Sequence, residues 1–253
     1  MDSAERALRE RVAYDQDGVW ERSNAWNQRV LHVFHCANTL HGEQLFERAL
    51  AEGARGGRVL DVGCGAGHST RAVLEQGASY ALGIDVAQSM IDAAIAEGVS
   101  DNLDFRLQSA HEPLEGVFDL IFGRSVLHHI DFREFLRRAY RENLSPGGRM
   151  LFMEPTSHPL TILFHRLVRS AHTPDEWPLG PRDLQFLRSE FASVQVHPIN
   201  LVSFPAGVLS SLVFRTPENR LMRAADTIDR RLASRSRLDG YGRQAIIAID
   251  KAA

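Results

Sequence analysis

Two periodicities of apolar residues alternate along the chain, one typical of buried strands and the other typical of amphipathic helices. Short apolar runs such as Phe118–Phe122 have the composition of parallel strands that are buried on both faces. Segments with helical spacing separate these runs, so the pattern predicts an α/β fold with a doubly wound sheet. The predicted strands are 59–62, 79–85, 103–107, 117–122, 149–154, 193–199 and 242–249.

Apolar residues at helical spacing predict the helices that connect these strands. The segment 24–51 contains Gly42, and we expect this glycine to divide the segment into two helices. The other predicted helices are a short polar helix at 4–12, one that starts at Ser69, helices at 87–97, 131–143, 159–171 and 181–189, and one or two helices in 206–236.

A glycine-rich turn, Gly63-Cys64-Gly65-Ala66-Gly67, follows the first predicted strand and precedes a predicted helix. Glycine lets a ligand lie against the main chain, and a helix N-terminus offers unpaired N–H groups. Dinucleotide sites are expected to read G-x-G-x-x-G, whereas this turn reads G-x-G-x-G, with Asp61 two residues ahead of it. A carboxylate there favours a ligand with a cationic amino group over a pyrophosphate. An ordinary strand-to-helix turn is the alternative interpretation.

A second acid, Asp85, ends the next predicted strand. An acid at this place can accept hydrogen bonds from both hydroxyls of a ribose. It can also cap the helix predicted at 87–97. Both roles remain open from the residues alone.

Several motifs together resemble those of one enzyme family. The segment 58–69 strongly resembles motif I of the class I S-adenosylmethionine (SAM)-dependent methyltransferases, and 84–90 resembles their second motif. The run Phe118-Asp119-Leu120-Ile121, followed by Leu127-His128-His129, is similar to the branch related to ubiquinone and menaquinone biosynthesis. With the Pro-Gly-Gly turn at 146–148, the motifs cover residues 57–155 in family order.

The resemblance implies a Rossmann-like sheet of seven strands in the order 3-2-1-4-5-7-6, with the last strand antiparallel. It also implies SAM as cofactor, with the glycine turn under its methionine part, Asp85 on the ribose, and Val86 and Met90 beside the adenine. Family members usually carry an aspartate near the adenine where this chain has Ser109, so Gln108, Ser109 or the backbone is expected to make that contact. The predicted cofactor set is Asp61, Gly63, Cys64, Gly65, Gly67, Asp85, Val86, Met90, Gln108, Ser109, Ala110, Arg124 and Ser125.

The chain ahead of the first strand is rich in aromatic residues, and we expect it to cap a small-molecule site. The candidate substrate contacts are Tyr14, Trp20, Trp26 and His35, and packing of the aromatic residues onto the sheet is the alternative. The expected organisation is a helical cap at 1–52, a SAM-binding core at 53–200, an insertion at 201–241 and the final core strand at 242–253. The insertion is expected to form a substrate lid or a homodimer contact.

Methyl transfer from a sulfonium requires an aligned nucleophile and the exclusion of water. A hydroxyl nucleophile must also lose its proton, and histidine suits that task near neutral pH. The catalytic candidates are His129, which we favour, His128 as its alternative, and Glu154 or His158 after the fifth strand. Structural packing or hydrogen bonding of the histidines is the competing interpretation.

The composition narrows the classes of partner and the compartment. Hydrophobic residues are 44% and charged residues 24%, as in globular proteins, and a net charge of −3 lacks the basic signature of nucleic-acid binding. Two cysteines do not make a disulfide scaffold. The N-terminus has no apolar signal core, and the apolar run 201–214 is too short to span a bilayer. We therefore expect a cytoplasmic enzyme without a membrane span.

We also predict that the protein binds no metal. His32, His35 and Cys36 lie within about one helical turn, but a fourth ligand is not evident. A metal-dependent catechol mechanism would need several carboxylates at the strand ends, where the sequence offers Arg124 and Glu154.

The leading functional hypothesis is methylation of an oxygen or nitrogen atom in a small organic molecule. A C-methyltransferase is one alternative, and a lipid- or quinone-directed enzyme, motivated by the apolar run Leu201–Phe214, is another. A non-catalytic SAM-binding protein is an alternative of a different class. The glycine spacing disfavours an NAD-dependent reductase.

Overall fold

The computed structural model describes residues 27–167, 176–233 and 235–253, together with residues 5, 8, 9, 11 and 12. Its strands form a seven-stranded sheet in the order β3-β2-β1-β4-β5-β7-β6, in which β7 runs antiparallel to both neighbours. The predicted strand order and antiparallel last strand are confirmed. The strands are β1 Arg58–Val62, β2 Tyr80–Asp85, β3 Leu103–Leu107, β4 Phe118–Arg124, β5 Leu144–Pro155, β6 Ser193–Ile199 and β7 Gln244–Asp250.

Helices connect the strands in the described part of the chain. Residues 5, 8, 9, 11 and 12 are also helical, as predicted for 4–12. Within the described ranges, no helix combines the length and apolar character needed to cross a lipid bilayer. The α-helices are α1 Leu31–His35, α2 Ala37–Ala54, α3 His68–Glu75, α4 Gln88–Ala96, α5 Phe132–Arg138, α6 Pro159–Leu167, α7 Pro181–Glu190, α8 Ser203–Val213 and α9 Arg220–Leu232, and 3-10 turns lie at Gln28–Val30, Leu127–His129 and Ser236–Tyr241.

Helices cover both faces of the sheet because successive side chains of a strand point to opposite sides. On β1, Leu60 and Val62 belong to the core shared with α5 and α7, and Val59 belongs to the core shared with α2, α3 and α4. These three side chains are at most 1% exposed. Burial on both faces explains why the strands could be found as continuous apolar runs.

The helix break predicted at Gly42 is wrong. Helix α2 runs through Gly42, and the chain breaks instead at Cys36, where the backbone is extended. A Cβ atom at Gly42 would lie 2.4 Å from Cδ1 of Ile199, at the end of β6. The glycine therefore permits close packing of α2 on the sheet and does not end a helix.

Two predicted boundaries in the centre of the chain also differ from the structure. The helix predicted at 131–143 is divided into α5 and a π-helical turn at Ala139–Asn143. The Pro-Gly-Gly turn at 146–148 lies within β5, where Leu144 pairs with Phe118 and Arg149 pairs with Leu120. The residues between these two pairs form a bulge, so the strand starts earlier than its apolar run.

The insertion between β6 and β7 contains α8 and α9, and α9 connects it to the N-terminal helices. Asp226 accepts a hydrogen bond from the backbone N–H of Asn38, in the first turn of α2, at 3.1 Å. Asp229 accepts from the N–H groups of Val202 and Ser203, where α8 begins, at 2.6 and 3.1 Å. Two acids on one helix thus satisfy N–H groups at the starts of two others, which holds the insertion against α2.

Candidate active site

A cavity of about 570 Å³ lies at the carboxyl ends of β1 to β4, the edge where doubly wound sheets bind ligands. Its size is typical of a site for a small organic ligand. The sequence-predicted residue His129 lines it as well. The cavity is lined by all of the predicted cofactor set except Gly67, namely Asp61, Gly63, Cys64, Gly65, Asp85, Val86, Met90, Gln108, Ser109, Ala110, Arg124 and Ser125.

The glycine turn forms the floor of this cavity. Gly63, Gly65 and Gly67 all have positive φ angles, of 70°, 53° and 83°. Residues with a Cβ atom rarely adopt such angles. A Cβ atom at Gly67 would lie 2.6 Å from the ring of Phe105, so this glycine allows the start of α3 to pack on β3. Gly67 therefore shapes the turn from outside the cavity wall.

Asp61 is a nearly buried carboxylate in the cavity wall, only 2% exposed. Its Oδ2 atom accepts a hydrogen bond from Thr70 Oγ1 at 2.7 Å. Burial raises the pKa of Asp61 to about 7, with a smaller rise from Asp85, while Thr70 and Arg124 act in the opposite direction. A cationic group placed here would relieve this penalty and stabilise the carboxylate.

Asp85 accepts hydrogen bonds from the backbone with both carboxylate oxygens. Gly65 N–H donates to Oδ2 and Ala87 N–H donates to Oδ1, each at 2.9 Å. The residue therefore fixes the glycine turn and also holds the start of α4. Each carboxylate oxygen can accept more than one hydrogen bond, so these contacts are compatible with binding to a ribose.

Arg124, at the end of β4, is held by side chains of α2. Its guanidinium donates to Glu43 Oε2 at 2.6 Å and to Glu47 Oε1, and lies 4.3 Å from the centre of the Phe46 ring. These three residues occupy one face of α2 because their spacing is close to one helical turn. The N-terminal helix thereby contributes to the cavity wall through Arg124.

The loop after β3 forms the far end of the cavity, where adenine is expected. Arg138 of α5 donates to the carbonyl oxygens of His111 and Glu112, both at 2.9 Å, and this holds the loop in place. Ser109 Oγ accepts from His111 N–H at 3.2 Å, and Gln108 donates to the carbonyl of Pro113 at 2.9 Å. Both side chains thus make contacts within the loop while lining the cavity.

One N-terminal residue reaches the same rim. Arg11 donates from Nε to the carbonyl oxygen of Val86 at 2.9 Å. Val86 follows β2 and lines the cavity. This contact brings the helical residue Arg11 against the end of the cavity where adenine is expected, as a cap would require.

The pair His128 and Glu154 lies beside the cavity, and neither residue is in its wall. Glu154 is fully buried, and one of its oxygens accepts from the N–H groups of Val126 and Leu127 at 2.8 and 2.9 Å. The other lies 2.8 Å from His128 Nδ1. Burial, with a contribution from His129, lowers the pKa of His128 against the opposing effect of Glu154. Glu154 therefore anchors the turn that carries both histidines.

His129 lines the cavity, and its ring centre lies 4.0 Å from that of His128. Its Nδ1 atom is 3.7 Å from Glu176 Oε2, and the other oxygen of Glu176 is 3.7 Å from His165 Nε2. The Glu176 and His165 side chains are each only 8% exposed. Sequence reasoning missed Glu176, because it lies outside every predicted helix and strand and local periodicity gives no signal for it.

His158 is committed to hydrogen bonds with the backbone. Its Nδ1 accepts from Leu160 N–H at 3.0 Å, and its Nε2 lies 3.1 Å from the carbonyl oxygen of Leu201. Burial lowers its pKa despite the backbone contact, which favours a neutral ring. The arrangement connects the start of α6 to the insertion.

The predicted substrate contacts are only partly described. His35 is exposed at the end of α1 and is not among the cavity-lining residues. Tyr14, Trp20 and Trp26 lie outside the described residues. The cap prediction therefore rests, within the described chain, on Arg11 and on the face of α2 that holds Arg124.

Two groups of side chains bear on metal binding. The cluster His128, His129 and Glu176 places one ligand-type atom of each residue within 4.8 Å of the others. Ligands that share one tetrahedral zinc ion lie about 3.3 Å apart, so this cluster is wider than such a site. The second group is His32, His35 and Cys36. In this group, His32 Nδ1 lies 2.8 Å from Ser210 Oγ, and this hydrogen bond joins α1 to α8.

The chain is similar in sequence to known methyltransferases. Residues 36–192 match a family described as a methyltransferase domain. The ubiquinone biosynthesis O-methyltransferase of Pseudomonas aeruginosa is 29% identical over 171 residues, which are 65% of this chain and 68% of that protein. Phosphoethanolamine N-methyltransferase 1 of Arabidopsis thaliana is 33% identical over 111 residues, 42% of this chain. The match spans only 22% of the Arabidopsis protein.

Solved structures share the fold. The phosphoethanolamine N-methyltransferase 2 of Haemonchus contortus, solved in complex with S-adenosyl-L-methionine, superposes with a TM-score of 0.61 at 18% identity. The alignment covers 96% of this chain and 59% of that one. At this identity the likeness concerns the fold alone.

Proposed function

The chain belongs to the methyltransferase domain family, and from that premise we propose that it transfers the methyl group of SAM to an oxygen or nitrogen atom of a small organic molecule. SAM is the methyl donor of the class I enzymes whose motifs and fold this chain shares. The nature of the acceptor is the part that goes beyond family membership.

One observation carries the proposal: the cavity places Asp61, the glycine turn and Asp85 at neighbouring strand ends. A carboxylate, an exposed main chain and a second carboxylate in that order complement an amino group, a methionine chain and a ribose. The pKa of Asp61, raised by burial to about 7, indicates a carboxylate that needs a cationic partner. The pyrophosphate of a dinucleotide would instead meet two acids in this wall.

SAM, when bound, supplies an activated methyl group because its sulfonium is a good leaving group. The residues of this chain then have to bind SAM and the acceptor, align the acceptor with the methyl group, and exclude water from the site. We assign Asp61 to the cofactor's amino group, Asp85 to its ribose, and the loop at 108–110 to its adenine. Val86 and Met90 supply the apolar walls beside that base.

We propose that His129 removes the proton from the acceptor. Of the four catalytic candidates, His129 is the one that lines the cavity. Glu154 accepts three hydrogen bonds from the turn and is fully buried, and His158 is engaged with the backbone on both ring nitrogens. Histidine is well matched to general base catalysis near neutral pH. His128 is then a support for His129, held by Glu154.

We further propose that the helices at both ends of the core cover the acceptor. Arg11 on the adenine rim and the attachment of α9 to α2 through Asp226 support a cover built from residues 1–52 and 201–241. The core then comprises 53–200 with the final strand at 242–253. A homodimer that uses the insertion as its contact remains a prediction, which light scattering would test.

A lipid- or quinone-directed methyltransferase is the second candidate. The observation that favours it is the end of α8, where Leu212 and Val213 are 77% and 64% exposed, because such side chains suit a lipid surface. Co-sedimentation with liposomes distinguishes the two. Protein that stays in the supernatant excludes stable docking. The remaining predictions are a cytoplasmic enzyme with no nucleic-acid partner and no metal.

Calorimetry with S-adenosylhomocysteine (SAH) and with NADH tests the cofactor. We expect saturable heat with SAH and none with NADH, and the absence of heat with SAH would contradict the proposal. Incubation with SAM and a panel of phenols, catechols, amines and carboxylic acids then tests the acceptor. Conversion of SAM to SAH with one acceptor class identifies it. Tight SAM binding without conversion in any panel would favour a non-catalytic SAM-binding protein.

A further inference from the structure

We propose that Glu176 is a positioning residue for His129 and keeps one nitrogen of its imidazole ready to accept the acceptor's proton. This inference rests on the proposed function and extends it to a residue without a role so far. Glu176 follows α6 in the chain and is far in sequence from the turn that carries His129.

The geometry places the Glu176 carboxylate between two imidazoles. Its Oε2 is 3.7 Å from His129 Nδ1 and its Oε1 is 3.7 Å from His165 Nε2. Both distances exceed a direct hydrogen bond, but catalytic hydrogen bonds are often long before ligands bind and shorten in the complex. With a side chain only 8% exposed, the carboxylate interacts with these rings under weak screening by water.

Glu176 is attached to the histidine turn through its neighbour. Trp177 N–H donates to the carbonyl oxygen of His128 at 3.3 Å, and the Trp177 ring packs edge-on against His165 at 6.0 Å between ring centres. Two residues later, Leu179 N–H donates to Pro155 O at 3.0 Å. The carboxylate is therefore held beside the turn by backbone contacts that do not involve its own charge.

A carboxylate beside Nδ1 fixes the tautomer of a histidine. It accepts a hydrogen bond from Nδ1–H, and this leaves Nε2 as the basic nitrogen on a side chain that lines the cavity. The same negative charge favours the protonated ring that forms after proton transfer. Glu176 thus contributes both orientation and proton affinity to His129.

The other titratable groups around His129 are placed differently. His128 and Glu154 lie outside the cavity wall, and the Glu154 carboxylate contacts His128 Nδ1. Glu176 is the carboxylate 3.7 Å from His129 Nδ1. Among the residues that the structure describes, His165 lies beside Glu176, and the cavity wall carries the titratable or charged side chains of Asp61, Asp85, His68, His111 and Arg124.

The test is a titration of His129 by NMR in protein labelled with carbon-13 histidine and saturated with SAH. Its signal is assigned by its loss in His129→Asn. We expect Glu176→Gln to lower the pKa of His129 by about one unit, and Glu176→Asp to restore most of it. His165→Ala should move the pKa of His129 upward, because it removes a second ring that competes for the same carboxylate.

The control is Glu115→Gln, which removes a carboxylate whose side chain is 90% exposed and should leave the titration of His129 unchanged. Opposite shifts from Glu176→Gln and His165→Ala would not result from a loss of packing alone. Thermal melts of every variant identify one that does not fold. If Glu176→Gln does not fold, Glu176→Asp and His165→Ala still show in which direction the carboxylate shifts the pKa of His129.

The inference is overturned if Glu176→Gln shifts His129 no more than Glu115→Gln does. It is also overturned if the purified protein carries a stoichiometric divalent metal, measured by mass spectrometry, that Glu176→Gln removes. Calorimetry with SAH tests the proposed function independently of the titration of His129. Failure of SAH binding in the unmodified protein contradicts the proposed function, whereas intact binding with an unmoved titration contradicts only the role of Glu176.

Discussion

His128 Nδ1 lies 2.8 Å from the carboxylate of Glu154, so the end of β5 and the turn after β4 are joined through two buried side chains. The second oxygen of Glu154 accepts from two backbone N–H groups of the same turn. A single carboxylate thereby replaces the water that this segment would otherwise bind. The turn that carries His129 depends on it.

Glu154→Gln keeps the volume of the side chain but replaces one accepting oxygen with a donor. We expect the free energy of unfolding to fall by about 1–3 kcal/mol, because a buried hydrogen bond to a charged group is lost or inverted. Urea denaturation followed by circular dichroism measures this. Glu115→Gln, at an exposed surface position, should change stability by less than about 0.5 kcal/mol. Equal stability of both variants would show that the turn does not depend on Glu154.

Asp85→Ala removes the acceptor at the end of β2 and its hydrogen bonds to Gly65 and Ala87. We expect SAH affinity to weaken by about 10- to 100-fold, since charged hydrogen bonds contribute about 1.5–3 kcal/mol. Calorimetry gives the dissociation constant. Asp92→Asn on α4, which removes a surface carboxylate beside Gln88 but keeps an acceptor oxygen, is the control and should bind SAH normally. Unchanged affinity in Asp85→Ala would remove the basis for the ribose assignment.

Asp61 makes SAH binding depend on pH. Its pKa is raised from 3.8 to about 7 by burial, so the folded, ligand-free protein binds this proton more tightly than the unfolded chain. Stability without ligand should therefore fall as pH rises from about 4 to 7. Pairing with the ligand's ammonium requires the carboxylate, so SAH affinity should instead rise over the same range.

The measurement for Asp61 is calorimetry between pH 5.5 and 7, where an α-amino group stays protonated. We expect proton release on SAH binding, seen as a dependence of the heat on the buffer. Asp61→Asn should abolish both the proton release and the rise in affinity with pH. A pH-independent affinity in the unmodified protein would contradict the ammonium assignment.

Gly42→Ala would place a methyl group 2.4 Å from Cδ1 of Ile199. We expect a loss of stability of about 1–3 kcal/mol from overpacking, although alanine is otherwise the better helix residue. Ile199→Val removes the clashing carbon, so the double variant should recover part of the loss. A stabilised single variant would instead indicate that the contact relaxes without cost.

Metal independence is tested by dialysis against EDTA. We expect turnover, once an acceptor is known, to be unchanged, because the sulfonium of SAM already activates the methyl group. SAH affinity should be unchanged as well. Addition of Mg²⁺ or Zn²⁺ to the treated protein serves as the control. Activity that is lost on dialysis and restored by one of these ions would overturn the prediction.

The family and most of the residues that line the cavity could be predicted from the sequence, because both depend on local patterns. Buried parallel strands are apolar on both faces, so their runs and order were visible. The turn Gly63–Gly67 needs residues that adopt positive φ, and Asp61 and Asp85 stand at fixed places beside it. Twelve residues of the predicted set therefore line the cavity.

The contacts around Arg124 and His129 were decided by tertiary structure. Glu43 and Glu47 reach Arg124 across a helix-to-sheet contact, and Glu176 reaches His129 from a segment outside every predicted helix and strand. Gly42 was misread as a helix breaker, because the reason for a glycine there is Ile199, a residue distant in sequence. Contacts between remote segments leave no periodic trace along the chain, and the surroundings of His129 consist of such contacts.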